Sequence, residues 1–140
     1  MSITMEIDWA HGVVEFRVSG AMTPMAIVDG LAMLRASPQG QKLRAIVWDM
    51  RGTSLDNLDV EGLAATLQAT PLPDSAVPNL RIAAVVDECE GVKIATEWIE
   101  MGRSLDVVER QVFLLVADAR AWARQGKVLD EPTLLPLAQT

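Results

Sequence analysis

Residues 43–49 read LRAIVWD, a segment whose centre is almost continuously apolar, and residues 81–87, RIAAVVD, repeat the pattern. Strands that are covered on both faces carry such runs, so both segments are predicted to be buried strands. Each ends in an aspartate, and we expect the two strands to be neighbours. Helical patterns separate them, which requires crossover connections and a parallel arrangement. These segments therefore predict an α/β fold.

The N-terminal residues are predicted to form two strands, 3–9 and 13–18, joined by a turn at 10–12. Apolar and charged residues alternate in VEFRV at 14–18, which is typical of an antiparallel or edge strand with one solvated face. A Ser-Gly pair at 19–20 is expected to break the strand. Thr23 and Pro24 then start a helix that ends near Pro38 and carries an apolar stripe of Ile27, Val28, Leu31 and Leu34.

The second half continues this alternation. A helix is predicted at 60–69, a loop marked by Pro71, Pro73 and Pro78, a helix at 91–102 and a strand at 107–116. A last helix at 118–126 is expected to be capped by Asp118 and closed by Gly126. The predicted architecture is a single mixed, mostly parallel sheet with crossover helices in the order β-β-α-β-α-β-α-β-α.

The size and composition predict one domain. The chain has 140 residues, of which 50% are hydrophobic, enough for one core and too few for two ordinary domains. We assign residues 1–126 to this domain. Residues 127–140 have no assignable period and are interpreted as a C-terminal tail, whose leucines are available to dock on a neighbour or a second subunit.

The charge and the apolar runs exclude several classes of protein. The formal net charge is −7 and no segment collects Lys and Arg, so nucleic acid and anionic lipid are not expected partners. No apolar run approaches the roughly 20 residues of a membrane span. The N-terminus lacks a signal-peptide pattern, and a lone Cys89 suits a reducing compartment. We expect a soluble cytoplasmic protein.

Three short stretches and the element order resemble one family. VSGAMT at 18–23 precedes the first helix, WDMRG at 48–52 ends a strand, and VFLLVADARAWA at 112–123 closes the domain. Over residues 3–126 the chain resembles the STAS-like family of sulphate transporter and anti-sigma-factor antagonist domains. It is most similar to small stand-alone bacterial members, whose fold is also compared with lipid-binding CRAL-TRIO domains. The resemblance implies a domain that binds a protein partner or a small ligand without catalysis.

The resemblance also points to a candidate site at residues 52–63. Residues 49–52, DMRG, resemble the strand end of phospho-regulated members, and residues 59–63, DVEGL, resemble their helix start. The family's phosphoacceptor serine is replaced by Val60 and Glu61, so a phosphate switch is not expected there. Ser54 is a candidate substitute acceptor, and its alternative is a loop hydroxyl bonded to nearby backbone. The predicted partner-binding residues are Ser54, Asp56, Asp59 and Glu61.

The residues alone allow a simpler interpretation of the same stretch. Asp59 suits a helix N-cap, Leu58 and Leu63 suit a hydrophobic staple, and Glu61 lies where the helix dipole favours a negative charge. Two hypotheses therefore stay open for Glu61. It either imitates a phosphorylated side chain or simply begins a helix.

Metal and catalytic sites are not predicted. Oxygen ligands are offered by Asp56, Asn57, Asp59, Glu61 and the DECE run at 87–90, but these residues lack the spacing of a calcium loop, so a solvated acidic rim is preferred. Cys89 lies between two glutamates, which disfavour a thiolate, and the single histidine, His11, sits in a turn. We predict no catalytic residue, no metal, no cofactor and no enzyme activity.

The predicted function is a non-enzymatic regulatory module that recognises an unidentified protein partner around residues 52–63. The alternative is a carrier of a small apolar, lipid-like ligand between sheet and helices. Its lining would come from Met22, Met25, Met33, Met50, Met101, Trp48 and Trp98, which at this spacing are also typical core residues. Exposed apolar residues could equally form a homodimer face.

Overall fold

A computed structural model describes residues 2–21, 23–36, 42–54, 65, 76–87, 92–94, 96–98, 100 and 109–125. The strands are β1 (Ser2–Asp8), β2 (Val13–Ala21), β3 (Leu43–Asp49), β4 (Thr53–Ser54), β5 (Ala76–Val85) and β6 (Glu109–Phe113). Two helices have defined bounds, α1 (Pro24–Ala36) and α2 (Val116–Arg124).

The main sheet has the strand order β1-β2-β3-β5-β6. β1 and β2 form an antiparallel hairpin, whereas β2, β3, β5 and β6 run parallel to one another. The two-residue strand β4 pairs with the end of β2. The predicted mixed, mostly parallel α/β sheet with an antiparallel N-terminal hairpin is therefore confirmed.

Apolar side chains cover the two faces of the sheet. On one face, α1 and the helical Trp98 pack over a core that contains the stacked rings of Phe16 and Trp48, whose centroids are 4.5 Å apart. On the other face, Ala119 and Ala123 of α2 pack on a smaller cluster from the central strands. Because β3 and β5 lie between these two clusters, the side chains of residues 45–49 and 80–85 are buried on both faces, as the apolar runs predicted.

The predicted end of the second strand at 18 is wrong. β2 continues through Ser19 and Gly20 to Ala21, and Gly20 adopts a φ of 93°. The extension exists because Gly20 and Ala21 pair in parallel with β4. This partner comes from a segment more than 30 positions away, so the local Ser-Gly signal could not reveal it.

The loop assigned around Pro78 is also partly wrong, because β5 already begins at Ala76. The register between β3 and β5 shifts here: Leu43 pairs with Ala76, but Ala45 pairs with Arg81. Pro78 falls inside the irregular stretch, where its missing N–H interrupts no regular ladder.

The last strand and helix have different bounds from those predicted. β6 ends at Phe113, and α2 begins at Val116, so Asp118 lies in the first turn instead of capping the helix. Leu115 occupies the cap position without a side-chain hydrogen bond. Asp118 still favours the helix, since a carboxylate in the first turn interacts well with the dipole.

The two middle helices are described only in part. Ala65 is helical within the predicted 60–69 helix, and residues 92–94, 96–98 and 100 are helical within the predicted 91–102 helix. Gly126, the domain boundary after it and the tail at 127–140 lie outside the described residues.

Candidate binding surface at the carboxyl edge of the sheet

Asp49 is the last residue of β3 and is only 1% exposed. The parallel register places it beside Arg17 of β2. Side chains of directly paired residues lie on the same face of a sheet, so the Arg17 side chain reaches the Asp49 carboxylate. The Arg17 Nε lies 3.4 Å from Asp49 Oδ2.

Arg51, two residues after Asp49, folds back onto the same carboxylate. Its Nε donates to Oδ1 at 2.9 Å and its Nη2 donates to Oδ2 at 2.8 Å, a two-pronged arrangement. The Arg51 backbone N–H lies 3.3 Å from Oδ1. Burial by itself raises the pKa of Asp49, but the hydrogen bonds and charge of Arg51, with a smaller effect of Arg17, hold that pKa below its ordinary value. The same contacts raise the pKa of Arg51.

Residues 49–54, here called the Asp49 turn, are tied to both neighbouring strands. Met50 N–H donates to Val85 O at 2.9 Å, and the Thr53 hydroxyl donates to Val18 O at 2.6 Å. Gly52 N–H donates to the Asp87 carboxylate at 2.8 Å. Gly52 has a φ of 74°, a conformation that side-chain-bearing residues rarely adopt. The turn is therefore pinned at several points, while Gly52 and Arg51 stay exposed.

A second group of charged side chains, here called the charged groove, lies between α2 and the β1–β2 hairpin. Glu6 and Glu15 are direct cross-strand partners, an arrangement of like charges that is unfavourable by itself. Arg120 of α2 offsets it with two hydrogen bonds to Glu15, each 2.8 Å long. The groove forms an open cavity of about 290 Å³, lined by Glu6, Ile7, Asp8, Val13, Glu15, Arg120 and Arg124.

Asp8 marks the far end of the charged groove. It contacts His11 Nδ1 at 2.8 Å and Arg124 Nε at 3.5 Å. The hydrogen bond with His11 is the main reason that the pKa of Asp8 is lowered. These contacts join the turn of the β1–β2 hairpin to the last turn of α2.

Arg81 fastens α2 to the centre of the sheet. It is 4% exposed, and its Nη2 donates to the carbonyl oxygens of Trp122 and Ala123, both at 2.9 Å. Its guanidinium also lies 5.2 Å from the centre of the Trp122 ring. Burial lowers the pKa of Arg81. A cation at the C-terminal carbonyls of a helix is favoured by the dipole, so Arg81 has a structural role.

Only one of the four predicted partner-binding residues lies in the described chain. Ser54 belongs to β4 and pairs with Ala21, so it is a strand residue and not a loop residue. Asp56, Asp59 and Glu61 lie outside the described residues, as do Cys89 and the rest of the DECE run after Asp87.

Sequence reasoning missed Arg17 and Arg51 as members of this site. Arg17 was recognised as a residue on the polar side of its strand, and Asp49 as a strand end, but their contact requires the register. Of the residues predicted to line an apolar pocket, Met50, Trp48 and Trp98 are buried in the core, whereas Met25 and Met33 are exposed on α1. Met22 and Met101 lie outside the described residues.

No group of three or more His, Cys, Asp or Glu side chains is placed to hold a metal ion within the described ranges. In the same part of the chain, none of the helices combines the length and apolarity needed to cross a bilayer.

Comparison of the chain with protein-family models, with curated proteins and with solved structures found no match.

Proposed function

We propose that this chain is a non-enzymatic binding module of STAS-like architecture, which recognises a protein partner through the Asp49 turn and the segment that follows it to residue 63. The observation that carries the proposal is the anchoring of the turn. Hydrogen bonds to β2, β5 and Asp87 hold its backbone, while Arg51 and Gly52 face solvent. A rigid scaffold with an exposed polar loop is the usual basis of recognition sites.

The electrostatics of the turn also support binding over catalysis. The pKa of Asp49 is lowered and that of Arg51 is raised, so both side chains keep their charges around neutral pH. General acid–base catalysis works best with a group whose pKa lies near the operating pH. A fixed ion pair is better suited to hydrogen-bonding a partner than to transferring a proton.

The position of the turn agrees with this use. Ligands of open parallel sheets commonly bind beyond the carboxyl ends of the strands. The Asp49 turn lies at this edge, because it follows the end of β3, and β5 ends beside it. Ser54, Asp56, Asp59 and Glu61 belong to or follow the turn in the sequence and are proposed to extend the same surface. Both hypotheses for Glu61 stay open: it either imitates a phosphorylated side chain or simply begins a helix.

The apolar-ligand carrier is the weaker proposal. Two cavities formed by described residues are lined mainly by charged side chains, including Glu6, Glu15 and Arg17. Such linings suit polar contacts better than a lipid-like molecule.

Affinity capture from a lysate of the native host, read by quantitative mass spectrometry, tests the proposal. We expect a protein that is enriched by the wild-type chain and lost with Glu61→Ser or Asp59→Ala. Lys93→Gln, at an exposed helical position, serves as the control and should retain the partner. An identical set of captured proteins for all four chains would contradict the chosen surface. Native mass spectrometry of the purified chain adds a second readout, because a retained apolar molecule would favour the carrier.

A further inference from the structure

We propose that Arg17 and Arg51 form a clamp for a single carboxylate, supplied by a Glu or Asp side chain of the partner. This inference rests on the proposed function, since it names the chemistry by which the Asp49 turn would recognise that partner. It starts from two guanidinium groups that meet at one oxygen atom, Asp49 Oδ2.

The first argument is the number of donors. A guanidinium carries five N–H donors, and Asp49 engages only the Nε and Nη2 of Arg51 and the Nε of Arg17. Within the described part of the chain, Asp49 is the only carboxylate in salt-bridge distance of either arginine. Arg17 is 60% exposed and Arg51 is 39% exposed, so a second acceptor can reach their outer N–H groups.

The second argument is the balance of charge. Asp49 contributes one negative charge and the two arginines contribute two positive charges. Glu6 and Glu15, which line a cavity with Arg17, and Arg120, which pairs with Glu15, bring the total charge of this group to zero. Arg51 alone neutralises Asp49 with a two-pronged contact, so Arg17 is not needed for that purpose. A buried carboxylate holding two cations is costly to desolvate and is a poor device for stability alone.

The same balance selects the ligand. Because these charges balance and Glu6 and Glu15 lie beside Arg17, a ligand with a single negative charge meets less repulsion than one with two. A dianionic phosphate would leave net negative charge beside the exposed Asp87, which accepts the Gly52 N–H at the same turn. The chain as a whole carries −7, which disfavours an extended acidic partner. The expected ligand is therefore one acidic side chain in a segment that is not otherwise acidic.

The third argument is preorganisation. Cross-strand pairing fixes Arg17 beside Asp49, and the anchored turn fixes Arg51 above it. Two oriented guanidinium groups lose little conformational freedom when they bind a carboxylate.

Nuclear magnetic resonance on the full-length, ¹⁵N-labelled chain tests the clamp. Three blocked peptides are titrated separately: acetyl-Ala-Glu-Ala-amide, its Gln counterpart and its phosphoserine counterpart. The Nε–Hε signals of Arg17 and Arg51 are followed. We expect saturable shifts of both signals with the Glu peptide and none with the Gln peptide.

Arg17→Gln is the decisive variant because it leaves the contact between Arg51 and Asp49 intact, so the fold should survive. We expect it to weaken the binding of the Glu peptide about tenfold, since hydrogen bonds to charged groups are lost. Arg44→Gln makes the same charge change near the other end of β3, about 16 Å away, and should bind like the wild type.

Three outcomes overturn the inference: no saturable shift with the Glu peptide, unchanged binding by Arg17→Gln, or tighter binding of the phosphoserine peptide than of the Glu peptide. The two proposals fail separately. A partner captured through Glu61 by a chain that ignores the Glu peptide would refute the clamp alone. Glu-peptide binding without any captured partner would leave the clamp and remove the proposed function.

Discussion

Gly30 lies on the buried side of α1, opposite the stacked rings of Phe16 and Trp48. A methyl group added at Gly30 would lie 2.7 Å from Trp48 Cη2, 3.3 Å from Trp48 Cζ3 and 3.4 Å from Phe16 Cε1. The shortest of these distances is well inside van der Waals contact. Both rings are almost fully buried, so neither can swing away without disturbing the core. We therefore predict that Gly30→Ala destabilises the protein, although alanine is the better helix former.

The magnitude follows from two opposing terms. Replacing glycine by alanine inside a helix stabilises it by about 1 kcal/mol. Forcing an extra methyl group into a packed core costs about 1–3 kcal/mol. The free energy of unfolding of Gly30→Ala should therefore fall by about 1 kcal/mol, and the exposed Ala32→Gly on the same helix provides the matched control for propensity.

Urea unfolding followed by far-ultraviolet circular dichroism and by tryptophan fluorescence measures both variants. Ala32→Gly should lose about 1 kcal/mol from helix propensity alone. If Gly30→Ala instead gained about that amount, the methyl group would be accommodated freely. The close approach of α1 to the two rings would then not be a constraint on the fold, and the packing argument would be refuted.

Three further predictions concern charged side chains. Asp49→Asn should lower the free energy of unfolding at pH 7 by about 2 kcal/mol. Because the pKa of Asp49 is lowered in the folded state, the wild type loses this extra stability as the pH falls below the ordinary value of 3.8. Urea unfolding between pH 7 and 2.5 should show that the stability difference between the wild type and Asp49→Asn becomes smaller. Arg81→Met should lower the free energy of unfolding by about 1–3 kcal/mol, because two helix-end carbonyls lose their donor. Amide hydrogen exchange in α2 should accelerate, and unchanged exchange rates there would contradict this role of Arg81. Arg120→Gln should lower the free energy of unfolding by at most about 1 kcal/mol at low salt, and by less in 1 M NaCl. Adding Glu6→Gln to this variant should restore part of the loss, since it removes the repulsion with Glu15.

The central strands could be predicted from the sequence because burial on both faces requires apolar residues at consecutive positions. The centres of LRAIVWD and RIAAVVD are apolar at both odd and even positions, a pattern typical of a short strand covered on both faces. The helix predicted from Pro24 to near Pro38 has a similar local basis. Of its stripe residues, Ile27, Leu31 and Leu34 are buried and Val28 is half-buried. Where bounds were wrong, as at Gly20 and Pro78, a strand partner distant in sequence overrode a local turn signal.

The candidate site depended on information of a different kind. The polar side of β2 and the aspartate at the end of β3 were visible in the sequence, but the register that pairs Arg17 with Asp49 was not. The bond from Gly52 to Asp87 likewise joins residues 35 positions apart. Parallel strands are connected by crossovers, and no local pattern specifies how far one strand slides along the next.

Residue type and order thus determined which segments are buried, since the free energy of burial depends on each side chain and its immediate period. Tertiary structure decided which charges meet. The packing of α2 across the sheet places Arg120 on Glu15, and the register of the parallel strands places two arginines on one buried aspartate. The partners of these ion pairs belong to different strands and helices, so their geometry depends on how the apolar faces position those elements in the complete fold.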